Sequence, residues 1–252
     1  MRRPVIAGNW KLHKTIAETR DLALALKSDL AELSDIDIVI APPFTALSAA
    51  AAALAGSGIA VAAQNCYPVA SGAFTGEVSP PLLREAGCRY VLVGHSERRQ
   101  IFGESDEFIN AKVGAVLAEG LQPILCIGET LAERDAGQMC EVLTRQLKQG
   151  LSGIETAAMA QVVIAYEPVW AIGTGVTASN EQAAEAHAFI RGLLQGLYDE
   201  ETAKATRILY GGSVKPDNVD GLMAQEDIDG TLVGGASLKA ADFIRIARFQ
   251  RS

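Results

Sequence analysis

The chain has 252 residues, with 22 lysines and arginines against 30 aspartates and glutamates, for a formal net charge of -8. Apolar residues make up 49%, enough for a sizeable core, and no Ser/Gly-rich or Pro-rich linker divides the sequence, so residues 1–252 read as a single α/β domain. The acidic balance argues against nucleic acid or an anionic membrane as a partner, and an anionic substrate would need locally placed positive groups.

Met1-Arg2-Arg3-Pro4 opens with two arginines, but only a short apolar stretch follows before Asn9 and Lys11, which does not read as a signal peptide. The first β-like run is Val5-Ile6-Ala7-Gly8-Asn9, and Leu22, Leu26 and Leu30 then recur every fourth residue, predicting an apolar stripe on a following helix. Further β-like runs are Ile36 to Ala41, Ile59 to Ala63, Tyr90 to Gly94, Pro123 to Ile127, Val162 to Glu167, Arg207 to Tyr210 and Thr231 to Val233. The Ala-rich stretch Ala46 to Ala55 is too short to span a bilayer and reads as helix. Ser179-Asn180-Glu181-Gln182 has the form of a capping box, and Pro216 would suit the first turn of another helix. Cys66, Cys88, Cys126 and Cys140 form no Cys-x-x-Cys pair and lie far from any His cluster, which suggests neither a zinc site nor a disulfide framework and fits a reducing cytoplasm.

Strict strand-helix alternation, with room for one helix after each strand, implies a parallel sheet with right-handed crossovers. Eight such units in this length match a closed (β/α)8 barrel. The alternative, an open doubly wound sheet, lacks its Gly-x-Gly-x-x-Gly signature, because the first strand ends Gly8-Asn9-Trp10-Lys11.

In such a barrel the chemistry sits at the C-terminal ends of the strands. Strand one ends in Asn9 and Lys11, whose spacing puts both side chains on one face if the strand continues. Strand four ends Gly94-His95-Ser96-Glu97, strand six at Glu167, strand seven at Gly211-Gly212-Ser213 and strand eight at Gly234-Gly235. Lys, His and Glu converging from three strands form a functional constellation, whereas His13 and His187, in helix-like surroundings, read as surface residues. The two glycine pairs read either as tight turns or as a phosphate site built from backbone N–H groups, with Ser213 adding a hydroxyl.

The segment Ala165-Tyr166-Glu167-Pro168-Val169-Trp170-Ala171-Ile172-Gly173-Thr174-Gly175 leaves two readings open by itself. Pro168 stops the strand with Glu167 at its mouth, and the apolar loop beyond is either a lid over a base or a plug in a core gap.

The residues so far resemble the triosephosphate isomerase family. The match runs through Gly8 to Lys11, Gln64-Asn65, Ser71 to Glu77, Val93 to Arg99, Cys126 to Glu129, Ala165 to Gly175, Tyr210 to Asn218 and Leu232 to Leu238, in order along nearly the whole chain. The resemblance implies a TIM barrel that interconverts dihydroxyacetone phosphate and D-glyceraldehyde 3-phosphate through an enediolate, in glycolysis and gluconeogenesis. It implies that Glu167 is the base, its pKa raised from about 4.3 toward roughly 6 to 7 by desolvation. His95 would act as a neutral electrophile and proton relay, its pKa lowered by a helix N-terminus. Lys11 would stabilise negative charge, with Asn9 orienting the substrate oxygens and Glu97 beside the lysine.

The same resemblance implies that Gly173, Ser213, Gly234 and Gly235 hold the phosphate and that a lid over residues 168–177 closes on the site. Pro168, Trp170, Ile172, Thr174 and Gly175 belong to that lid, with Ile172 and Leu232 pressing on the carboxylate. It implies no metal or organic cofactor, and a homodimer in which Thr75 reaches the neighbouring active site. One departure is Val176, where many members have lysine in the lid's C-terminal hinge. Competing readings are a barrel aldolase using Lys11 as a Schiff-base amine, and a phosphate-binding scaffold without activity.

Overall fold

In the computed structural model, which describes residues 2–173 and 177–250, eight parallel strands close into a barrel in sequence order. They are β1 (Val5–Asn9), β2 (Asp37–Ala41), β3 (Ile59–Ala63), β4 (Cys88–Val93), β5 (Gln122–Ile127), β6 (Val163–Tyr166), β7 (Arg207–Tyr210) and β8 (Gly230–Val233). The pairing of Val5 with Gly230 and of Gly8 with Val233 closes the ring. The expected barrel is therefore present, with strand ends moved by one or two residues.

Alternation within each strand separates two cores. Val5 and Ala7 point inward to join Val39, Ala41, Leu92, Ile124, Val163, Ala165, Leu209 and Leu232 in the barrel interior. Ile6 between them faces outward and packs in the larger layer under the helices. Burial on both faces explains why these strands read as continuous apolar runs. It also fixes the top of the barrel, since Asn9 continues the inward parity of Val5 and Ala7, and Glu167 that of Val163 and Ala165.

Outside the barrel lie α1 (Ile16–Asp29), α2 (Leu47–Leu54), α3 (Pro80–Glu85), α4 (Ser96–Gln100), α5 (Asp106–Ala118), α6 (Leu131–Asp135), α7 (Met139–Gly150), α8 (Asn180–Leu197), α9 (Glu200–Ala205), α10 (Val219–Met223) and α11 (Ala240–Ala247). The expectation of one helix per connection fails at three places, because β4–β5, β5–β6 and β6–β7 each carry two. The short additional helices α4 and α6 sit directly after strands, so each starts at the rim where the candidate residues gather. Ser179 and Gln182 form the expected capping box. Pro216 instead lies in a turn ahead of α10, where the Asn218 side chain accepts the Lys215 N–H at 2.8 Å.

His187 is not a surface residue. It is fully buried on α8, edge-on to the Tyr166 ring with centroids 5.8 Å apart, and its Nδ1 lies 3.2 Å from the Asp227 carbonyl. Burial drives its pKa down to about 3, so it stands as a neutral core group.

The lower end of the barrel is tied by ions. Buried Asp229, just before β8, accepts from Arg2 Nε, from Arg191 at 2.7 Å and from the Ile208 N–H at 2.9 Å.

Candidate active site

A cavity of about 390 Å³ opens at the C-terminal ends of the strands, lined by Asn9, Lys11, His95, Glu167, Ile172, Gly173, Gly211, Gly212, Ser213, Leu232, Gly234 and Gly235 among others. Residues from β1, β4, β6, β7 and β8 therefore meet as their parity and strand-end positions predict. His13 is exposed and also edges the cavity, as does Lys215.

Glu167 follows β6 directly, its N–H donating to the Ile127 carbonyl at 2.7 Å. Its carboxylate is 2% exposed, with Oε1 2.9 Å from His95 Nε2 and Oε2 accepting the Ser96 N–H at 2.9 Å. His95 is the N-cap of α4, and its Nδ1 accepts the Glu97 N–H at 3.2 Å. A ring nitrogen that accepts an N–H carries no proton. The proton of the neutral imidazole therefore sits on Nε2 and points at Glu167.

These contacts reverse both pKa expectations. Burial pushes the Glu167 carboxyl up, but His95 and the Ser96 N–H outweigh it and hold the carboxyl below its ordinary value. For His95, burial pulls the pKa down, while the Glu167 and Glu97 carboxylates raise it and prevail. The physical reason is that base and imidazole are paired with each other. Moving the carboxylate away from His95 and Ser96 removes the main partners behind both shifts, so that desolvation, the largest influence on each group, acts in the expected direction.

Lys11 does not extend β1, so the condition under which its spacing would share a face with Asn9 is not met. The strand ends at Asn9, and Lys11 adopts a φ of 50°, the left-handed region that non-glycine residues seldom occupy. Its N–H donates to Asn9 Oδ1 at 3.0 Å, and Gln64 Nε2 donates to the Lys11 and Ala41 carbonyls, both at 2.8 Å. This turn still brings Lys11 to the cavity, where Nζ pairs with Glu97 Oε1 at 2.6 Å. Glu97 is thus beside the lysine, as expected, although it does not line the cavity.

The glycines belong where space is shortest. A Cβ on Gly212 would stand 2.3 Å from the Tyr210 hydroxyl, and one on Gly211 2.9 Å from Glu167 Cγ. Gly235 opens a 3-10 turn, Gly235–Leu238, whose first N–H groups have no partner within the turn. Ser237 donates its Oγ proton to the Gly234 carbonyl at 2.7 Å, pinning that corner from behind.

Pro168 is buried, and Val169–Ala171 form a 3-10 turn beyond it. Trp170 is held by Glu129: its Nε1 donates to Glu129 Oε1 at 2.9 Å, and the same oxygen accepts from Tyr166 at 3.1 Å and Arg134 at 3.2 Å. Ile172 and Gly173 reach the cavity edge, and Leu232 lies at its floor. Thr174, Gly175 and Val176 lie outside the described residues. Thr75 does not line this cavity and lies in an exposed stretch over residues 69–77.

Reading the sequence alone gives no role to Gln64, Glu129 or the Ser96 N–H, although all three fall inside matched motifs. Each acts on a group far along the chain, so no local periodicity or turn rule marks it.

Comparison with known proteins agrees with this geometry. The family profile described as Triosephosphate isomerase matches residues 4–250. The chain belongs to the triosephosphate isomerase family. It is 63% identical over 250 residues to the triosephosphate isomerase of Syntrophotalea carbinolica, covering 99% of each chain. Identity to the triosephosphate isomerase of Chloroflexus aurantiacus is 58%, over 99% of this chain and 100% of the relative, and to that of Herpetosiphon aurantiacus 57%, over the same shares. As a member of this family the chain is an isomerase that interconverts dihydroxyacetone phosphate and D-glyceraldehyde 3-phosphate.

Proposed function

We propose that Glu167 is the base of this isomerisation, and the observation that carries the reading is its buried carboxylate beside His95 Nε2 within the cavity that Lys11 also enters. Glu167 takes a proton from the carbon next to the substrate carbonyl and returns it to the neighbouring carbon. His95, neutral and protonated on Nε2, donates to the carbonyl oxygen as the enediolate forms and relays the proton between the two oxygens. Lys11 lies where negative charge develops, and Asn9 orients the oxygens; preorganised donors of this kind contribute a few kcal/mol each, by rough estimate. Glu97 steadies Lys11 through the ion pair and the neutral His95 ring through its N–H to Nδ1.

The phosphate is held by the N–H groups of Gly173, Gly234 and Gly235 with the Ser213 hydroxyl. Neutral amides suit an anion in a chain of net charge -8, since they add no basic patch. Substrate entry separates Glu167 from His95 and Ser96, and Pro168, Trp170 and Ile172 move as part of a lid that presses Ile172 toward the carboxylate opposite Leu232. With its partners gone and water excluded, the carboxylate regains the basicity that burial confers. The reaction needs neither metal nor organic cofactor, because every proton has a donor and an acceptor among these side chains.

An imine on Lys11 is the poorer reading, as its Nζ is ion-paired with Glu97 at 2.6 Å rather than free as a nucleophile. The chain acts as a single-domain subunit of a cytoplasmic homodimer in glycolysis and gluconeogenesis, Thr75 reaching the partner's site near Asn9 and Lys11. Support for association comes from the exposed Leu12, Ile101 and Phe102 and the exposed loop carrying Phe74. No described helix is long and apolar enough to cross a membrane.

Replacing Glu167 with Asp withdraws the carboxylate by one methylene, and a displacement of about 1 Å costs roughly 10²-fold. Turnover in a coupled assay should fall at least that far while phosphoglycolate still binds. Unchanged turnover would remove Glu167 from the role of base.

A further inference from the structure

Gln146, on α7, is 5% exposed, and its amide is committed to the main chain of one distant residue. Its Oε1 accepts the Gly128 N–H at 2.8 Å, and its Nε2 donates to the Gly128 carbonyl at 3.2 Å. Gly128 follows β5, next to Ile127, whose carbonyl receives the Glu167 N–H. The contact between the two segments is close. A Cβ at position 128 would lie 1.7 Å from the Glu167 carbonyl oxygen and 2.6 Å from its carbonyl carbon.

Gly128 therefore forms a surface on which the Glu167 main chain rests, and Gln146 fixes that surface at both of its polar groups. Gln146 also edges a second, polar cavity of about 330 Å³ that is lined by Ser96 and Glu167 and not by Lys11. Without the amide, the Gly128 N–H and carbonyl would turn to water there, and the backbone under Glu167 would lose its only side-chain tether at that residue among the described residues.

We infer that Gln146 is a positioning residue for the isomerisation: through Gly128 it sets where the Glu167 carboxylate stands relative to His95 and the substrate. The inference rests on Glu167 being the base. Gln146 touches neither substrate nor reacting atoms, and the glycines proposed to hold phosphate, Gly173, Gly234 and Gly235, lie in the loop after β6 and just beyond β8, away from Gly128. Its loss should then appear in kcat rather than in KM.

The test compares Gln146→Leu, Gln146→Glu, Glu167→Asp and the double variant Gln146→Leu/Glu167→Asp, with folding checked by circular dichroism and thermal melting. Gln146→Leu should lower kcat about 10- to 100-fold with KM within about twofold, since a shift near 1 Å is worth about 10². Gln146→Glu keeps the acceptor for the Gly128 N–H but opposes a carboxylate to the Gly128 carbonyl. Its deficit in kcat relative to the parent should shrink as pH falls and the carboxyl regains a proton to donate. The double variant should lose much less than the product of the single losses, because both changes displace the same carboxylate. A folded Gln146→Leu protein with parent kcat and only a lowered Tm would overturn the inference, as would a double variant showing the full product. Should Gln146→Leu not fold, the pH-dependent deficit of Gln146→Glu decides alone, and a pH-independent one refutes the inference. If Glu167→Asp loses no turnover, the assignment of the base fails first; if it does and the Gln146 variants do not, only this inference falls.

Discussion

Gly211→Ala tests whether the position of the base is limited by backbone clearance. Gly211 follows β7, and its N–H donates to the Tyr166 carbonyl at 2.7 Å, so the backbones of β6 and β7 are tied together at this level. An added Cβ would stand 2.9 Å from Glu167 Cγ and 3.1 Å from the Tyr166 oxygen. Carbon atoms rest about 3.5–4.0 Å apart, so the Glu167 side chain must retreat by roughly 0.6–1 Å, since the tied backbones leave little other relief. Misplacement on that scale costs up to about 10²-fold, which predicts a kcat loss of roughly 10- to 100-fold, or about 1.4–2.7 kcal/mol. Overpacking should also destabilise by about 1–3 kcal/mol, and at about 2–4 °C per kcal/mol the Tm should fall by roughly 2–12 °C. A coupled assay on glyceraldehyde 3-phosphate and a thermal melt read the two effects separately. A variant with parent kcat and parent Tm would refute the view that Gly211 is glycine because of Glu167.

Three further outcomes follow from contacts elsewhere. Asp229→Ala leaves Arg2 and Arg191 short of a buried partner, so differential scanning calorimetry should show a loss of about 3–5 kcal/mol, while kcat at 25 °C stays at the parent value because the contact is at the far end of the barrel. His187 has a folded pKa of about 3, below its unfolded value near 6.5. The unfolded chain takes up the proton first as pH falls, so this group withdraws stability from about pH 6.5 downward, at up to about 1.4 kcal/mol per pH unit. Urea unfolding of His187→Phe should accordingly show a shallower pH slope between pH 6 and 4, and an unaltered slope would contradict the buried neutral imidazole. His95 works neutral, and the Glu167 and Glu97 carboxylates hold its pKa above the ordinary value, so kcat/KM, which reports the free enzyme, should fall along an acid limb set by His95 and lying at or above about 6.5. A limb near about 4.3 would mean that His95 is not paired with the carboxylates in solution.

Much of the barrel was legible because it depends on local rules. Short Val/Ile runs mark strands buried on both faces, and Ser179 with Gln182 marks a helix start from four residues. What local pattern missed was the second helix in three connections, since α4, α6 and α9 are only five or six residues long and too short to show a period. At the site, Asn9, Lys11, His95 and Glu167 were legible because strand ends at one rim converge by topology alone. His187 was misread because a polar residue on a helix looks solvated until the aromatic packing around it is known. Gln64, Glu129 and Gln146 were out of reach for a related reason: their hydrogen bonds join residues 18 to 53 positions apart.

The pKa reversals show the limit of inferring a base's strength from burial. Desolvation does act on Glu167, and it is the largest single influence there, yet three partners together overcome it. Each partner is a donor supplied at the start of α4 or the rim: His95 Nε2–H, the Ser96 N–H and, more distantly, Lys11. A carboxylate so held is soluble in a dry site and weak as a base, which keeps it ionised until a substrate carbonyl takes His95 for itself. Lys11 is built on the same plan, its left-handed backbone being fixed by Gln64 and Asn9 from two other points of the barrel. Strained or desolvated groups persist only where their surroundings over-determine them. Here the surroundings are main-chain and amide donors in fixed positions, so the substrate can displace one partner of the base without loosening the rest.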